Sequence, residues 1–206
     1  MSGEAMILGS KEWFETAKAK LTASAELVKA SADWEGCLKC VIDAEDEEAV
    51  KDFANEEGIR AILGMLSMLS VEERAKMKGT GLGGLTEKLG VPIDSEIDSV
   101  DVNSLIDKVS KLTVNDFKGV VIYAAFEPYH GTIKKMDPIT PDAEQNAKFT
   151  ITGKYKNWKK LCSGKNSIIQ LVMTGRMKLS GDLKYLMKRM AAVNALMNVY
   201  KSIPIK

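Results

Sequence analysis

The sequence predicts an α+β fold, in which a mostly antiparallel sheet is covered by helices on one face. The spacing of apolar residues changes near residue 120 from the three-and-four spacing of helices to the alternation of strands. The strand-like segments are joined by hairpins and irregular helices, and no strand-helix-strand unit repeats, which argues against a parallel sheet. The 206 residues are 45% hydrophobic and 28% charged, a composition that excludes disordered and collagen-like chains.

The N-terminal part is predicted to form one helix and one strand. Ser10 can cap a helix that is expected to end near Ala32. The apolar stripe of this helix has residues three and four positions apart, namely Phe14, Ala17, Leu21, Ala25 and Val28. Residues 37–43 are rich in cysteine and β-branched side chains, which predicts a strand.

Residues 46–115 are predicted to form a helical insertion within a single domain that spans 1–206. Helices are expected over 46–53 and 58–69, and a capping box predicts that another begins at Ser70. The apolar stretch in the second of these helices has no polar face wide enough for exposure to solvent. The insertion must therefore pack against the rest of the chain or against a partner.

The glycine run 79–84 satisfies the dinucleotide-binding pattern G-x-G-x-x-G. That pattern binds a pyrophosphate only when a strand precedes it and a helix begins at its end. Here a predicted helix precedes the run, so we interpret the run as a linker that ends the helix. Beyond it, Asn103 is expected to cap a short helix over 103–112.

A β-hairpin is predicted where the apolar residues begin to alternate. Its strands are 120–126 and 132–136, and its turn is 127–131, which contains proline and glycine. The proline-containing segment 137–146 predicts a loop, and 148–153 predicts another strand.

The remaining residues predict two short helices, a strand and a long closing helix. The first helix begins at Lys154 and stops at Gly164, and the second covers 167–174. The strand is 175–181 and the closing helix is 182–203. The closing helix has an apolar side formed by Leu183, Leu186, Met187, Met190, Val193, Met197 and Tyr200.

The formal net charge of +1 hides an uneven distribution. Residues 1–146 contain 16 basic and 27 acidic side chains, whereas 147–206 contain 13 basic and 1 acidic. One interpretation is a cationic face for phosphate groups of lipids, a coenzyme or nucleic acid. The other is that the lysines are the solvent side of amphipathic elements and are neutralised by the acidic half. No nucleic-acid-binding motif accompanies the charge, so we expect no nucleic acid partner.

The sequence predicts a reduced, cytoplasmic protein. Three cysteines are too few for a disulfide framework, and residues 1–9 lack the basic start and apolar stretch of a secretory signal. The longest apolar stretches, 61–69 and 167–173, are shorter than the roughly 20 residues of a membrane span.

Little in the sequence points to catalysis or to metal binding. Cys37 and Cys40 form a C-x-x-C, but in a strand such residues point to opposite faces with Cα atoms about 10 Å apart. A disulfide requires less than about 7 Å, and no second pair completes a zinc site, so we interpret both as packing residues. His130, the single histidine, lies in the predicted turn, and no activating motif surrounds Cys162. We expect no enzyme, no metal and no cofactor.

The last third of the chain is rich in methionine interleaved with leucine and valine. The methionines are Met173, Met177, Met187, Met190 and Met197. Because methionine adapts to irregular shapes, such a wall suits a cavity for a flexible acyl or polycyclic ligand. The alternative is an ordinary hydrophobic core.

The order of motifs over 149–203 resembles the C-terminal half of the sterol carrier protein type 2 family. The motifs are the strand 149–153, Trp158 and Leu161 followed by Gly164-Lys165, the strand 175–181 ending in Gly-Asp, and an apolar terminal helix. The resemblance extends to the hairpin 119–136 and to 10–43, and is absent over 46–115. The family usually joins its first two strands tightly, so the insertion could cover the cavity, fill it or dock a partner.

The resemblance implies a five-stranded sheet under helices that enclose a hydrophobic tunnel for a sterol, a fatty acid or a fatty acyl-CoA. It also implies that the terminal helix acts as a lid, with Lys or Arg at the opening for a headgroup. The implied wall residues are Trp158, Leu161, Ile169, Val172, Met173, Met177, Leu179, Leu186, Met190 and Met197.

Three functions follow, of which non-catalytic carriage of a lipid or acyl-CoA ligand is the leading hypothesis. A membrane surface or an enzyme is then a transient partner. The second is an interaction module with a closed core, whose helical insertion docks on an enzyme of lipid or acyl-CoA metabolism. The third is an acyl-handling enzyme that uses Cys162 or His130.

Overall fold

The structure is a computed structural model that describes residues 4–206, so the first three residues of the predicted domain and of the N-terminal segment 1–9 lie outside it. The strands are β1 Leu38–Asp43, β2 Val121–Tyr129, β3 Thr132–Pro138, β4 Phe149–Lys154 and β5 Met177–Gly181. The helices are α1 Lys11–Ala23, α2 Ala25–Ala30, α3 Glu47–Phe53, α4 Glu56–Ser67, α5 Val71–Ala75, α6 Gly81–Leu89, α7 Ile106–Val109, α8 Tyr155–Cys162, α9 Ile168–Met173, α10 Leu183–Lys188 and α11 Met190–Lys201. Short 3-10 helices cover Ile97–Ser99, Val102–Leu105 and Val114–Phe117.

The five strands form one sheet in the order β3-β2-β1-β4-β5. Three of the four neighbouring pairs are antiparallel, and β1 pairs with β4 in parallel. Leu38, in the central strand, lies opposite Phe126 on one side and Phe149 on the other. The predicted α+β class with a mostly antiparallel sheet is confirmed.

Helices cover one face of the sheet, and the centre of the other face is covered by the loop after β3. On the helical face, Ile42, Phe126 and Phe149 belong to the main hydrophobic core. On the other face, Cys37 and Ile139 form a small separate cluster with Ala125. Alternation along the strands separates the two sets of side chains.

The N-terminal helix is broken, contrary to the prediction of one helix to residue 32. Ser10 caps α1 as predicted, and its Oγ accepts a hydrogen bond from the Trp13 N–H (3.1 Å). Ser24, with φ −79° and ψ 99°, leaves the helical conformation and caps α2. Because the break rotates the second helix, Leu27 is buried there while Val28 is exposed, and the predicted stripe does not continue.

The helices α3 to α7 lie between β1 and β2 in the chain, where an insertion was predicted. Their apolar faces join the same hydrophobic core as the sheet, including Leu63 and Leu66 of the apolar stretch. The capping box at Ser70 is present, since Glu73 donates its N–H to Ser70 Oγ and accepts from the Ser70 N–H.

The glycine run 79–84 is more than the predicted linker. Gly79, with φ +78°, ends the preceding turn, and Thr80 caps α6, which begins at Gly81. A Cβ at Gly81 would lie 2.1 Å from the carbonyl oxygen of Gly119, so this backbone contact requires glycine. The element directly before the run is α5 and not a strand, so the dinucleotide-binding interpretation stays excluded.

Two further boundaries differ from the prediction. The short helix near residue 103 is capped by Asp101, whose Oδ1 accepts from the Asn103 N–H (3.0 Å), and not by Asn103. The turn of the β-hairpin contains only His130 and Gly131, whose φ values of +47° and +81° suit a two-residue turn. Pro128 belongs to β2, beside an irregularity in the register.

The closing helix is also divided. Arg189, with φ −116° and ψ 28°, separates α10 from α11. The apolar spacing continues across this break, so periodicity alone did not indicate it. No residue of α10 is fully buried, whereas α11 contributes Val193, Leu196 and Tyr200 to the core.

Candidate functional site

An apolar cavity of about 280 Å³ lies between the helical face of the sheet and the C-terminal helices. Its floor is formed by residues of the central strands, including Leu38, Cys40 and Ile151. Helices α8 to α11 form its walls. The lining residues are Trp34, Leu38, Cys40, Ile151, Trp158, Leu161, Ile168, Ile169, Val172, Met173, Leu179, Leu183, Leu186, Met187, Met190, Val193, Leu196, Met197 and Tyr200.

Local structure fixes one wall of the cavity firmly. Trp158 and Leu161 are three residues apart on α8 and therefore project from the same face of the helix. The Trp158 Nε1–H donates to the backbone oxygen of Val41 (3.3 Å), which holds the indole against the sheet. Both side chains are about 95% buried or more.

Nine of the ten predicted wall residues line the cavity. These are Trp158, Leu161, Ile169, Val172, Met173, Leu179, Leu186, Met190 and Met197. Met177 does not line the cavity. It lies opposite Gly153 on β4, and a Cβ at Gly153 would be 2.9 Å from Met177 Cγ. The missing side chain of Gly153 leaves a space in the core that Met177 fills.

The prediction missed ten lining residues, and the sequence signalled only some of them. Leu183, Met187, Val193 and Tyr200 lay on the predicted apolar side of the closing helix. Trp34, by contrast, lies between α2 and β1, and no periodic pattern marks it. It reaches the cavity because β1 pairs with β4, and its ring lies 5.8 Å from that of Phe149.

Among the described residues, no charged side chain lines the cavity. Its polar groups include the Cys40 thiol and the Tyr200 hydroxyl, whose Oη lies 3.6 Å from Met136 Sδ. Burial raises the pKa of both groups well above their ordinary values, so both remain neutral. The cavity offers apolar contact and nothing that would bind a charged group.

The cavity reaches the surface between α9 and α10. Ile169 and Met173 on α9 and Leu183 and Met187 on α10 all line it. Each is also exposed, Met173 by 82% and Met187 by 64%. We call these four residues the rim.

A larger groove of about 970 Å³ lies on the other side of α8, but it is polar. Lys156, Lys160 and Lys165 line it together with Asp46 and Glu48. Because its opposite charges face each other and few apolar side chains border it, it suits water better than an apolar ligand.

The two residues named for an acyl-handling enzyme lie outside the cavity. Cys162 is buried, and burial raises the pKa of its thiol to about 12. His130 is in the hairpin turn, with Nε2 3.0 Å from Glu35 Oε1. Neither lines the cavity, and the described part of the chain holds no group of three or more metal-ligating side chains.

Cys37 and Cys40 pack on opposite faces of the sheet, as predicted. Both are free thiols, and burial raises the pKa of Cys37 to about 12. Across residues 4–206, no helix has the length and apolar character needed to span a bilayer.

Part of the chain matches a known protein family. A family model described as the SCP-2 sterol transfer family matches residues 94–194. The match confirms the resemblance over most of the C-terminal region. It begins inside 46–115, where the sequence had shown no resemblance, and it does not include 10–43.

Solved structures show the same fold. A crystal structure of sterol carrier protein 2 has a TM-score of 0.55 and 16% identity, covering 95% of this chain and 98% of that chain. The solution structure of a conserved hypothetical protein from Thermus thermophilus, described as possibly a sterol carrier protein, has a TM-score of 0.56 and 16% identity, covering 100% and 96%. No curated protein matches the chain.

Proposed function

We propose that the protein binds and carries an apolar lipid without chemistry, because residues 94–194 match the SCP-2 sterol transfer family and 95% of the chain aligns with the fold of sterol carrier protein 2. The observation that carries this proposal is the cavity itself. Its wall is mostly apolar, and it occupies the place where the methionine-rich helices close over the sheet.

The size of the cavity favours one acyl chain over a bulkier ligand. About 280 Å³ is near the lower end of the roughly 300–1,000 Å³ of small-molecule sites. Each buried methylene group of a chain contributes about 0.8 kcal/mol to binding before the entropic costs of association. Four methionines in the lining can adjust their rotamers to chains of different length and saturation.

The carboxylate or coenzyme end of such a ligand belongs outside the cavity. No lysine or arginine lines the interior, so a charged end would lose its hydration there without gaining a partner. Lys184 and Lys188 on α10 follow the rim residues Leu183 and Met187 directly in the chain. They are the cations closest in sequence to the opening and suit a carboxylate or phosphate.

In this proposal α10 is the lid. None of its residues is fully buried, and it lies between the break at Arg189 and the end of β5. Displacing it would uncover the side of the cavity at which Leu183, Leu186 and Met187 lie. The elements below it, β1, β4 and α8, are part of the core and would stay in place.

Native mass spectrometry of the purified protein, followed by denaturing extraction, tests the proposal. We expect a discrete added mass that extracts as a fatty acid or fatty acyl-CoA, or uptake of added fatty acid at a ratio of one per chain. A mass equal to that of the protein alone, with no uptake of either ligand, would contradict it and favour the interaction module.

A matched pair of variants then locates the ligand. Val172→Trp places a large side chain in the cavity wall, and we expect it to weaken the binding of a fluorescent fatty acid at least tenfold. Val71→Trp makes the same change at an exposed position of α5 outside the cavity and should leave binding unchanged. Equal binding by both variants would show that the ligand lies elsewhere.

A further inference from the structure

We infer that the rim of the cavity, together with the lysines beside it, is a docking surface for an anionic membrane. This inference rests on the proposed function, because a carrier must exchange its ligand with a lipid phase. It concerns a different property, namely where and how the protein contacts that phase.

The first argument is the concentration of exposed apolar side chains at the rim. Residues 4–206 expose eight large hydrophobic side chains, and four of them are the rim residues Ile169, Met173, Leu183 and Met187. Met173 and Met187 are the most exposed of all eight. Exposed apolar side chains that cluster in this way mark a surface that contacts another apolar phase.

The second argument is the order of residues around α10. At 100° per residue, Leu183 and Met187 lie next to each other on the solvent side of α10, and Leu186, which also lines the cavity, lies beside Leu183. Lys184 and Lys188 come next around the helix axis, so the apolar strip has a basic border. Tyr185 lies on the opposite side and contacts the protein. This is the arrangement of a helix that lies at a membrane interface.

The third argument is the excess of basic charge in the C-terminal segment that contains the rim. Between residues 165 and 201 there are seven basic side chains and one acidic one, Asp182, whose carboxylate caps α10. Within the described residues, Arg189 is the only one of the seven that forms an ion pair. Of the six without an ion pair, Lys184 and Lys188 lie on α10 beside the rim residues Leu183 and Met187, whereas Lys165 lines the polar groove on the other side of α8.

Charge decides which partner this surface fits. A second copy of the chain in a two-fold dimer would place the same basic border against itself, which is repulsive. An anionic lipid headgroup layer pairs with the border, while the rim side chains enter the acyl boundary. The opening of the cavity would then face the lipid phase, so a ligand could pass without crossing bulk water.

Vesicle co-sedimentation of the full chain tests the inference. The vesicles contain phosphatidylcholine alone or with 30% phosphatidylserine, roughly the regime in which surface charge attracts basic segments. We expect binding to the anionic vesicles, a loss of binding as NaCl rises to about 0.5 M, and little binding to the neutral vesicles.

Charge-reversal variants identify the surface. At about fivefold in affinity for each lysine near an anionic surface, Lys184→Glu with Lys188→Glu should weaken vesicle binding by about 25-fold or more. The control, Lys111→Glu with Lys118→Glu, makes the same change at two exposed lysines between β1 and β2 and should bind as the unaltered protein does. Met173→Ser with Met187→Ser should also lose vesicle binding, because the apolar contact is removed.

A second measurement separates this inference from the proposed function. Binding of a fluorescent fatty acid in the absence of vesicles reports on the cavity alone. Fatty acid binding without affinity for anionic vesicles would overturn the docking surface and leave the carrier function standing. Vesicle binding without fatty acid uptake would overturn the carrier function and leave the docking surface standing. Equal vesicle binding by both charge-reversal variants, or a salt-resistant dimer that hides the rim, would also overturn the inference.

Discussion

At the residue scale, one buried carboxylate joins the helices between β1 and β2 to helix α8. Asp52 on α3 accepts hydrogen bonds at Oδ2 from the Tyr155 hydroxyl (2.9 Å) and the Lys159 ammonium (2.8 Å) of α8. Its side chain is 5% exposed, and that of Lys159 is 12% exposed. Glu48 also contacts Lys159 (3.2 Å), but Glu48 is 44% exposed. Burial raises the pKa of Tyr155, and the Asp52 carboxylate raises it further, so the phenol remains a donor.

We predict that Asp52→Ala lowers the free energy of unfolding by about 3 kcal/mol. The change leaves Lys159 with only an exposed carboxylate as its partner and leaves the Tyr155 hydroxyl with only a weak hydrogen-bond acceptor. Glu48→Ala removes an exposed partner of the same lysine and should cost less than about 1 kcal/mol. Urea denaturation at pH 7 measures both. Equal effects would mean that burial does not decide the strength of this contact.

A second carboxylate provides a test of pH dependence. Asp116 contacts Lys88 and accepts from the Thr113 N–H (2.8 Å) and hydroxyl (2.9 Å). The Lys88 contact, with these two hydrogen bonds, lowers the pKa of Asp116 from 3.8 to about 2.

Because the folded pKa is depressed, the stability from Asp116 is complete above the unfolded value of 3.8 and is lost as the pH falls toward 2. Asp116→Asn should therefore be less stable than the unaltered protein at pH 7, by about 1 kcal/mol for a partly exposed cap and ion pair. The difference should shrink between pH 4 and pH 2. Chemical denaturation at several pH values measures it, and a constant difference over that range would refute the assignment.

At the scale of elements, α10 is held to the body of the protein by a small set of contacts at the loop before β1. The Tyr185 hydroxyl accepts from the Glu35 N–H (2.7 Å) and lies 3.3 Å from the Asp33 carbonyl. Arg189 forms an ion pair with Asp33 (2.8 Å) and lies over the Tyr185 ring. We call these contacts the latch.

If α10 is the lid, weakening the latch should release it locally. We predict that Tyr185→Phe with Asp33→Ala speeds hydrogen exchange over residues 183–190 and the exchange of bound fatty acid several-fold. The global free energy of unfolding should change by less than about 1 kcal/mol, because the Asp33 carboxylate is exposed. Lys184→Ala, on the same helix but outside the latch, should leave the rate of hydrogen exchange over residues 183–190 unchanged. Faster exchange across the whole chain would show instead that α10 belongs to the stable core.

At the scale of the whole molecule, the helices α3 to α7 and the sheet share one continuous hydrophobic core. The two halves of opposite charge are also joined by ion pairs. Those that cross between residues 4–146 and 147–206 link Lys154 to Asp43, Lys159 to Glu48 and Asp52, Arg189 to Asp33, and Lys206 to Glu57. The acidic half thus neutralises part of the basic half, while Lys184 and Lys188 beside the rim form no ion pair with the described residues.

A shared core predicts a single cooperative unfolding transition. Trp13, Trp34 and Trp158 lie outside the inserted helices and report on the sheet and the cavity by fluorescence. Far-UV circular dichroism reports mainly on helices, many of which belong to the insertion. The two probes should give the same urea midpoint. Separate midpoints would show that 46–115 unfolds as an independent unit.

The sequence by itself determined most of the elements and their type, but not α6, which begins inside the glycine run that we interpreted as a linker. Local signals were sufficient where a polar side chain satisfies the backbone, as at Ser10 and Ser70, and where apolar residues alternate, as in β2. The ordered motifs of the C-terminal region, read together, identified the family resemblance and nine lining residues.

Only the tertiary structure decided where the helices break and what completes the cavity. The breaks at Ser24 and Arg189 interrupt patterns that remain apolar, because packing against neighbouring elements and not periodicity sets the helix direction there. Met177 does not line the cavity, because Gly153 on the neighbouring strand leaves space for its side chain in the core. Trp34 and Leu38 entered it because β1 pairs with β4, more than a hundred residues away in the chain. A cavity is enclosed by segments distant in sequence, and local patterns carry no information about which distant segments meet.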